Sequence, residues 1–101
     1  MLEKFPLGGG KVRVTFRLAD LPGVRRVAVC GEFNGWDDAA CPMTRAPDGS
    51  WSAALTLAAG RVYAYRYHDG QGAWHDDPSA DGYAPNGFGG VNALVDLRSL
   101  P

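Results

Sequence analysis

The stretch KVRVTFRL, residues 11–18, decides the fold class because apolar and polar side chains alternate along it without interruption. Every even-numbered residue is apolar, and every odd-numbered residue is basic or a threonine. A period of two over this length is typical of a half-buried antiparallel β-strand. The basic side of the strand predicts a solvated face or a protected sheet edge.

The same period of two extends outward from this stretch along most of the chain. Turn-forming pairs and triplets such as Pro47-Asp48-Gly49 and Asp69-Gly70 separate the apolar runs. Six further strands are predicted, over residues 24–31, 43–45, 51–57, 61–68, 71–76 and 90–98. Gly8-Gly9-Gly10 is expected to be a flexible lead-in to the first strand, and residues 77–89 are expected to be the longest loop. Seven short strands with no helical pattern predict an all-β antiparallel sandwich.

Length and charge limit the classes of function. A chain of 101 residues predicts one domain over residues 1–101. Ten basic and 11 acidic residues give a net charge of -1, so we expect no nucleic-acid partner and no anionic membrane surface. No apolar run approaches a membrane span or the core of a signal peptide. The expected location is the cytoplasm.

Neither the cysteines nor the ionisable residues form a recognisable catalytic or metal-binding motif. Cys30 and Cys41 are too few for a disulfide scaffold, and free thiols are favoured over a bridge across the intervening loop. His68 and His75, seven residues apart, lack the ligand spacing of a zinc site. Asp37-Asp38 and Asp76-Asp77 are interpreted as exposed turn formers rather than the facing carboxylates of a glycosidase. We therefore expect a protein that is not an enzyme and has no metal or cofactor.

The aromatic residues are more informative. Trp51 begins a predicted strand on its apolar face and is expected in the core. Trp36 lies in a polar loop, Trp74 lies near the end of a short strand, and Phe88 stands between two glycines. Exposed aromatic side chains on loops tend to mark contact surfaces.

Flat aromatic faces suit the apolar C–H faces of sugar rings, with hydroxyl groups left at the ring edges. Arg66, on the polar face of its strand, and Asn92, early in the last strand, are candidates for hydrogen bonds to those hydroxyls. From the residues alone, three interpretations stay open: a sugar-binding surface, a protein contact surface, or aromatic residues of the core and its rim.

Six stretches, taken together and in order, resemble the glycogen-binding modules of carbohydrate-binding module family 48. This family includes the domain in the β subunit of AMP-activated protein kinase and the N-terminal domains of isoamylases and glycogen branching enzymes. The resemblance extends from about residue 12 to residue 97. The stretches are VCGEFNGW at 29–36, PMTR at 42–45, DGSW at 48–51, YRYHDG at 65–70, WHDDP at 74–78 and FGGVN at 88–92.

The resemblance implies an immunoglobulin-like β-sandwich that binds α-1,4-glucans such as glycogen, starch and maltooligosaccharides. By motif position, Trp36 and Trp74 would form an angled aromatic platform. Arg66 and Asn92 would hydrogen-bond to glucose hydroxyls, and Phe88 would pack against the bend of the sugar chain. A glucan-active enzyme or a kinase subunit is the partner that the resemblance implies. The alternative is a protein-protein interaction module that docks on such a partner without binding sugar.

Overall fold

The computed structural model describes residues 2–87 and 89–99. Over those residues it contains nine β-strands and a single 3-10 turn at Glu32–Asn34. The strands are β1 (Leu2–Gly8), β2 (Lys11–Leu18), β3 (Ala28–Gly31), β4 (Thr44–Arg45), β5 (Trp51–Ala58), β6 (Val62–His68), β7 (Trp74–His75), β8 (Gly82–Pro85) and β9 (Val91–Asp96).

The strands form two antiparallel sheets that face each other. The first sheet has the order β1-β2-β5-β4, and the second has the order β3-β6-β9-β8 with β7 beside β6. The predicted all-β, immunoglobulin-like sandwich is therefore confirmed. β6 and β9 are the two central strands of the second sheet. Their outward-pointing side chains are available to form a site on the outer face of this sheet.

The core lies between the sheets and follows the predicted alternation. Every even-numbered residue of β2 is buried, as are the three tyrosines of β6 at positions 63, 65 and 67. Trp51 is buried at the start of β5, as predicted. Because each large apolar side chain contributes about 1.5–3 kcal/mol on full burial, this alternation fixes which face of each strand points inward.

The structure corrects the predicted seven strands to nine. The Gly8-Gly9-Gly10 run is not a flexible lead-in, since it follows a strand: β1 pairs with β2 from Leu2 opposite Phe16 to Gly8 opposite Lys11. The glycines at positions 8, 9 and 10 all have positive φ and make the tight connection between the two strands. β8 lies inside the segment predicted as the long loop and pairs with β9. Both extra strands are at sheet edges.

Cys30 and Cys41 are both buried, and both are free thiols, so the favoured interpretation of unbridged cysteines is confirmed. Burial, with the nearby Asp38 and Asp37 carboxylates as lesser causes, raises the pKa of the Cys30 thiol to about 11. Burial also raises the pKa of Cys41. The Cys30 thiol lies 3.7 Å from the Asp37 carbonyl oxygen, which ties the 32–42 loop to β3.

Candidate functional site

An open groove of about 500 Å³ lies beside the outer face of the second sheet. Four of the five predicted binding residues line it, and Asn86 joins them. The fifth, Phe88, lies outside the described residues. The lining residues are Trp36, Arg66, Trp74, Asn86 and Asn92. They come from the 32–42 loop, from β6, β7 and β9, and from the residue that follows β8.

The loop that carries Trp36 begins at a glycine because no larger residue fits there. A Cβ on Gly31 would lie 2.6 Å from the Ala64 carbonyl oxygen and 2.7 Å from the Phe33 ring. The Phe33 ring centroid is 5.8 Å from that of Phe16 and 6.0 Å from that of Tyr63. Phe33 therefore anchors the start of the loop to the aromatic core.

Asn34 fixes the path of the chain from this anchor to Trp36. Its Nδ2 donates to the Val29 carbonyl oxygen at 3.0 Å, and its Oδ1 accepts from the Gly31 N–H at 3.1 Å. Gly35 and Trp36 then adopt left-handed backbone angles, with φ of 65° and 63°. A left-handed tryptophan costs about 1–2 kcal/mol, so the surrounding contacts must offset this cost to hold the indole at the surface.

Trp74 meets Trp36 across the groove at an angle. It lies opposite His68 in the register of β6 and β7, and 41% of its surface is exposed. The ring centroids of the two tryptophans are 6.5 Å apart, with 73° between the ring planes. The His68 ring contacts Trp74 on another side, with a centroid distance of 4.7 Å. Two indoles thus form an angled pair whose orientation is set by neighbouring rings.

The hairpin leading to Trp74 is organised by one carboxylate. Asp69 Oδ1 accepts from the N–H groups of Gln71 and Ala73 at 2.7 and 3.2 Å, and Asp69 Oδ2 is 3.0 Å from His75 Nε2. These contacts lower the pKa of Asp69 to about 2, with the His75 hydrogen bond as the largest cause and the two N–H groups adding to it. These contacts close the hairpin and hold β7, and hence Trp74, in place.

Arg66 and Asn92 form the polar floor of the groove. Tyr65 is opposite Ala93 in the β6–β9 register, and continuing that register by one residue brings Arg66 beside Asn92 on the outer face. Arg66 Nε and Nη2 each lie 3.0 Å from Asp76 Oδ1. Since a guanidinium has five N–H donors, this pairing orients the side chain and still leaves donors for a ligand.

Asp77 differs from the exposed turn former that the sequence suggests. Its side chain is fully buried. Asp77 Oδ2 accepts from the Tyr65 and Tyr67 hydroxyls at 2.6 and 3.1 Å, and Oδ1 accepts from the Ser79 N–H at 2.9 Å. Burial is the main cause that raises the pKa of both tyrosines, and Asp77 adds to it. Asp77 therefore anchors the chain after β7, while Asp76 faces outward and pairs with Arg66.

Asn86 is the groove residue that the sequence reasoning did not select. It follows β8, within the segment predicted as a long loop, and precedes Gly87. An Asn-Gly pair between two strands is a hairpin signal. Had residues 82–85 been identified as a strand, that signal would have placed Asn86 at the same sheet end as Asn92.

Two features are absent from the part of the chain that the structure describes. No group of three histidine, cysteine or acidic side chains comes together there to hold a metal ion. No helix there is long and apolar enough to cross a membrane.

Comparison with known proteins identifies the family. The family model "Carbohydrate-binding module 48 (Isoamylase N-terminal domain)" matches residues 10–84. The chain belongs to carbohydrate-binding module family 48. Modules of this family are non-catalytic binding modules. Membership of the family supports binding of carbohydrates, and of glucans in general, by this chain. The matched residues include Trp36, Arg66 and Trp74, whereas Asn86 and Asn92 lie beyond them.

The similar curated proteins are much longer than this chain. The 1,4-alpha-glucan branching enzyme of Burkholderia lata is 42% identical over 64 residues, which cover 58% of this chain and 9% of that enzyme. The enzyme of the same name from Pseudomonas aeruginosa is 41% identical over 63 residues, 58% of this chain and 9% of that enzyme. The one from Pseudomonas syringae pv. tomato is 48% identical over 46 residues, 44% of this chain and 6% of that enzyme. The similarity thus concerns one small domain of each relative.

Proposed function

We propose that the chain is a non-catalytic module that binds α-1,4-glucans, such as glycogen, starch and maltooligosaccharides, in the groove between Trp36 and Trp74. One observation carries the proposal: two indoles, 6.5 Å apart and inclined at 73°, border a groove that also contains Arg66 and Asn92. The family relationship supports the same ligand class in general terms.

The inclined indoles suit a curved sugar chain. Each pyranose ring has an apolar C–H face, and successive α-1,4-linked rings turn relative to one another, so two tilted planes can stack on two rings of one chain. Burying apolar area on both indoles supplies most of the affinity. Because the groove is open to water, we expect a dissociation constant between about 1 µM and 1 mM.

The polar side chains orient the glucan. The proposal assigns hydroxyl hydrogen bonds to Arg66, already oriented by Asp76, and to Asn92 beside it on β9. A planar guanidinium and a carboxamide present donors at fixed angles, which favours one arrangement of ring hydroxyls over others. Phe88 is assigned to packing against the bend of the chain.

Calorimetric titration of maltoheptaose into the wild type, Trp36→Ala and Trp74→Ala tests the proposal. Each variant should lose at least about 30-fold in affinity, the loss typical of a residue that dominates an interface. Phe5→Ala is the matched control, since Phe5 is an exposed aromatic residue on the first sheet, and it should bind like the wild type. Equal affinity in the wild type and both tryptophan variants would exclude the groove as the site.

The alternative is a protein-protein interaction module that docks on a glucan-active enzyme or a kinase subunit without binding sugar. Phe5 and Leu7, 59% and 48% exposed on edge strand β1, favour a contact surface on the first sheet. A glucan-active enzyme is the partner class suggested by the similar branching enzymes. Tryptophan fluorescence separates the two functions: glucan binding predicts a shift on adding maltooligosaccharides, and docking without sugar binding predicts none.

A further inference from the structure

Asn86 and Gly90, at the two ends of the connection between β8 and β9, are joined by two hydrogen bonds. The Asn86 N–H donates to the Gly90 carbonyl oxygen at 3.1 Å, and the Gly90 N–H donates to Asn86 Oδ1 at 3.2 Å. The second bond uses the side chain. The carboxamide of Asn86 is therefore held at a fixed place beside the groove that it lines.

The absence of a side chain at Gly90 leaves room for this carboxamide. A Cβ on Gly90 would lie 3.1 Å from Asn86 Nδ2, closer than ordinary van der Waals contact allows. The backbone of Gly90 is outside the left-handed region, unlike that of Gly87 and Gly89. An alanine at position 90 would therefore push the carboxamide away by a few tenths of an ångström without straining the backbone.

Asn86 and Asn92 are offset from each other along the strand direction of the β8–β9 pair. In the β8–β9 register, Ala84 is opposite Asn92, and Asn86 follows Ala84 by two residues. At about 3.4 Å per residue, this offset is about 7 Å along the strand direction. Two carboxamides with this offset can each contact a different hydroxyl group of one bound chain.

We propose that Asn86 is a further glucan-contacting residue, and that it binds a hydroxyl group of a glucose unit other than the one bound by Asn92. This inference rests on the proposed function. A carboxamide can accept and donate at the same time, as a sugar hydroxyl also can, so the pair is chemically matched. The contact extends the site beyond the tryptophan pair, and it makes affinity depend on the length of the oligosaccharide.

The test is calorimetric titration of maltotriose and maltoheptaose into the wild type, Asn86→Ala and Gly90→Ala. Losing one hydrogen bond should weaken maltoheptaose binding by about 3- to 10-fold, and maltotriose binding by less than about 2-fold, because the shorter chain can occupy the tryptophan pair, Arg66 and Asn92 without reaching Asn86. Gly90→Ala should weaken maltoheptaose binding in the same direction by displacing the carboxamide. Thermal unfolding of each variant verifies that the fold is retained.

Each result decides the inference. Unchanged maltoheptaose affinity in Asn86→Ala, or an equal loss for both ligands, overturns the role of Asn86. If Asn86→Ala does not fold, Gly90→Ala carries the test, and unchanged maltoheptaose affinity in that variant overturns the role. Failure of the wild type to bind maltoheptaose would instead overturn the proposed function, so the two failures are distinguishable.

Discussion

Replacing Asp77 with alanine should destabilise the protein far more than replacing its neighbour Asp76. Asp77 accepts hydrogen bonds from the buried hydroxyls of Tyr65 and Tyr67. Each buried hydroxyl left without an acceptor costs about 1–3 kcal/mol, so the two together cost about 2–6 kcal/mol. Asp76 is half-exposed and pairs with Arg66 at the surface. Its loss should cost at most about 1 kcal/mol.

The cost at Asp77 is large compared with the 5–15 kcal/mol by which small domains are usually stable. Urea denaturation of the two variants and the wild type, followed by tryptophan fluorescence, measures the difference. For a domain of this size, each kcal/mol lowers the melting temperature by about 4–8 °C, so differential scanning calorimetry gives an independent value.

A rescue experiment separates the hydrogen bonds from the loss of side-chain volume. Adding Tyr65→Phe and Tyr67→Phe to Asp77→Ala removes the two hydroxyls that the first substitution leaves unsatisfied. The triple variant should regain part of the lost stability, because removing both partners of a buried hydrogen bond costs less than removing one. The reasoning is refuted if Asp77→Ala costs no more than Asp76→Ala, or if the tyrosine substitutions only add to the loss.

Three further predictions follow from local contacts. Gly31→Ala should destabilise the protein by about 1–3 kcal/mol, because its Cβ would meet the Ala64 carbonyl oxygen at 2.6 Å. Gly82→Ala is the reference in the same denaturation assay, because Gly82 is likewise outside the left-handed region and its Cβ would make only an ordinary contact, 3.6 Å from the Leu94 side chain. The pKa of Asp69 is lowered from 3.8 to about 2, so its contribution to stability is present above pH 4 and is lost as the pH falls toward 2. Asp69→Asn should therefore flatten this part of an acid denaturation curve. An unchanged curve would contradict the role given to Asp69. Cys30 and Cys41 are buried, with raised pKa values, so iodoacetamide at pH 8 should modify both in urea and neither in the native protein, as mass spectrometry would detect.

The strands that the sequence predicts well are those with one buried face. β2, β5 and β6 alternate because the core selects one side of each strand and water selects the other. β1 carries Phe5 and Leu7 on the exposed surface and Pro6 within the strand, so its polarity has no clear period. β8, with the sequence GYAP, is too short and too weakly apolar to show one. These edge strands are defined by pairing with a neighbour, which local sequence does not encode.

The candidate site is harder to derive from residues than the sheets are. Trp36, Arg66, Trp74 and Asn92 lie on four separate segments, and their meeting depends on how those segments fold around the second sheet. Polarity alone left three interpretations of the tryptophans open, and the family resemblance supplied the grouping. The prediction that Asp77 is an exposed turn former was wrong. An aspartate in a polar run is usually exposed, and only the tertiary fold brings two tyrosine hydroxyls to Asp77.

The strand β6 contributes side chains both to the core and to the candidate site. Its odd-numbered tyrosines point into the core, and its even-numbered residues Arg66 and His68 point to the outer face, where one lines the groove and the other contacts Trp74. Since consecutive side chains point to opposite faces of a strand, the position of Arg66 is fixed by the burial of the tyrosines on either side of it. The backbone position of Arg66 in the groove is therefore determined by the core packing on the opposite face of the same strand.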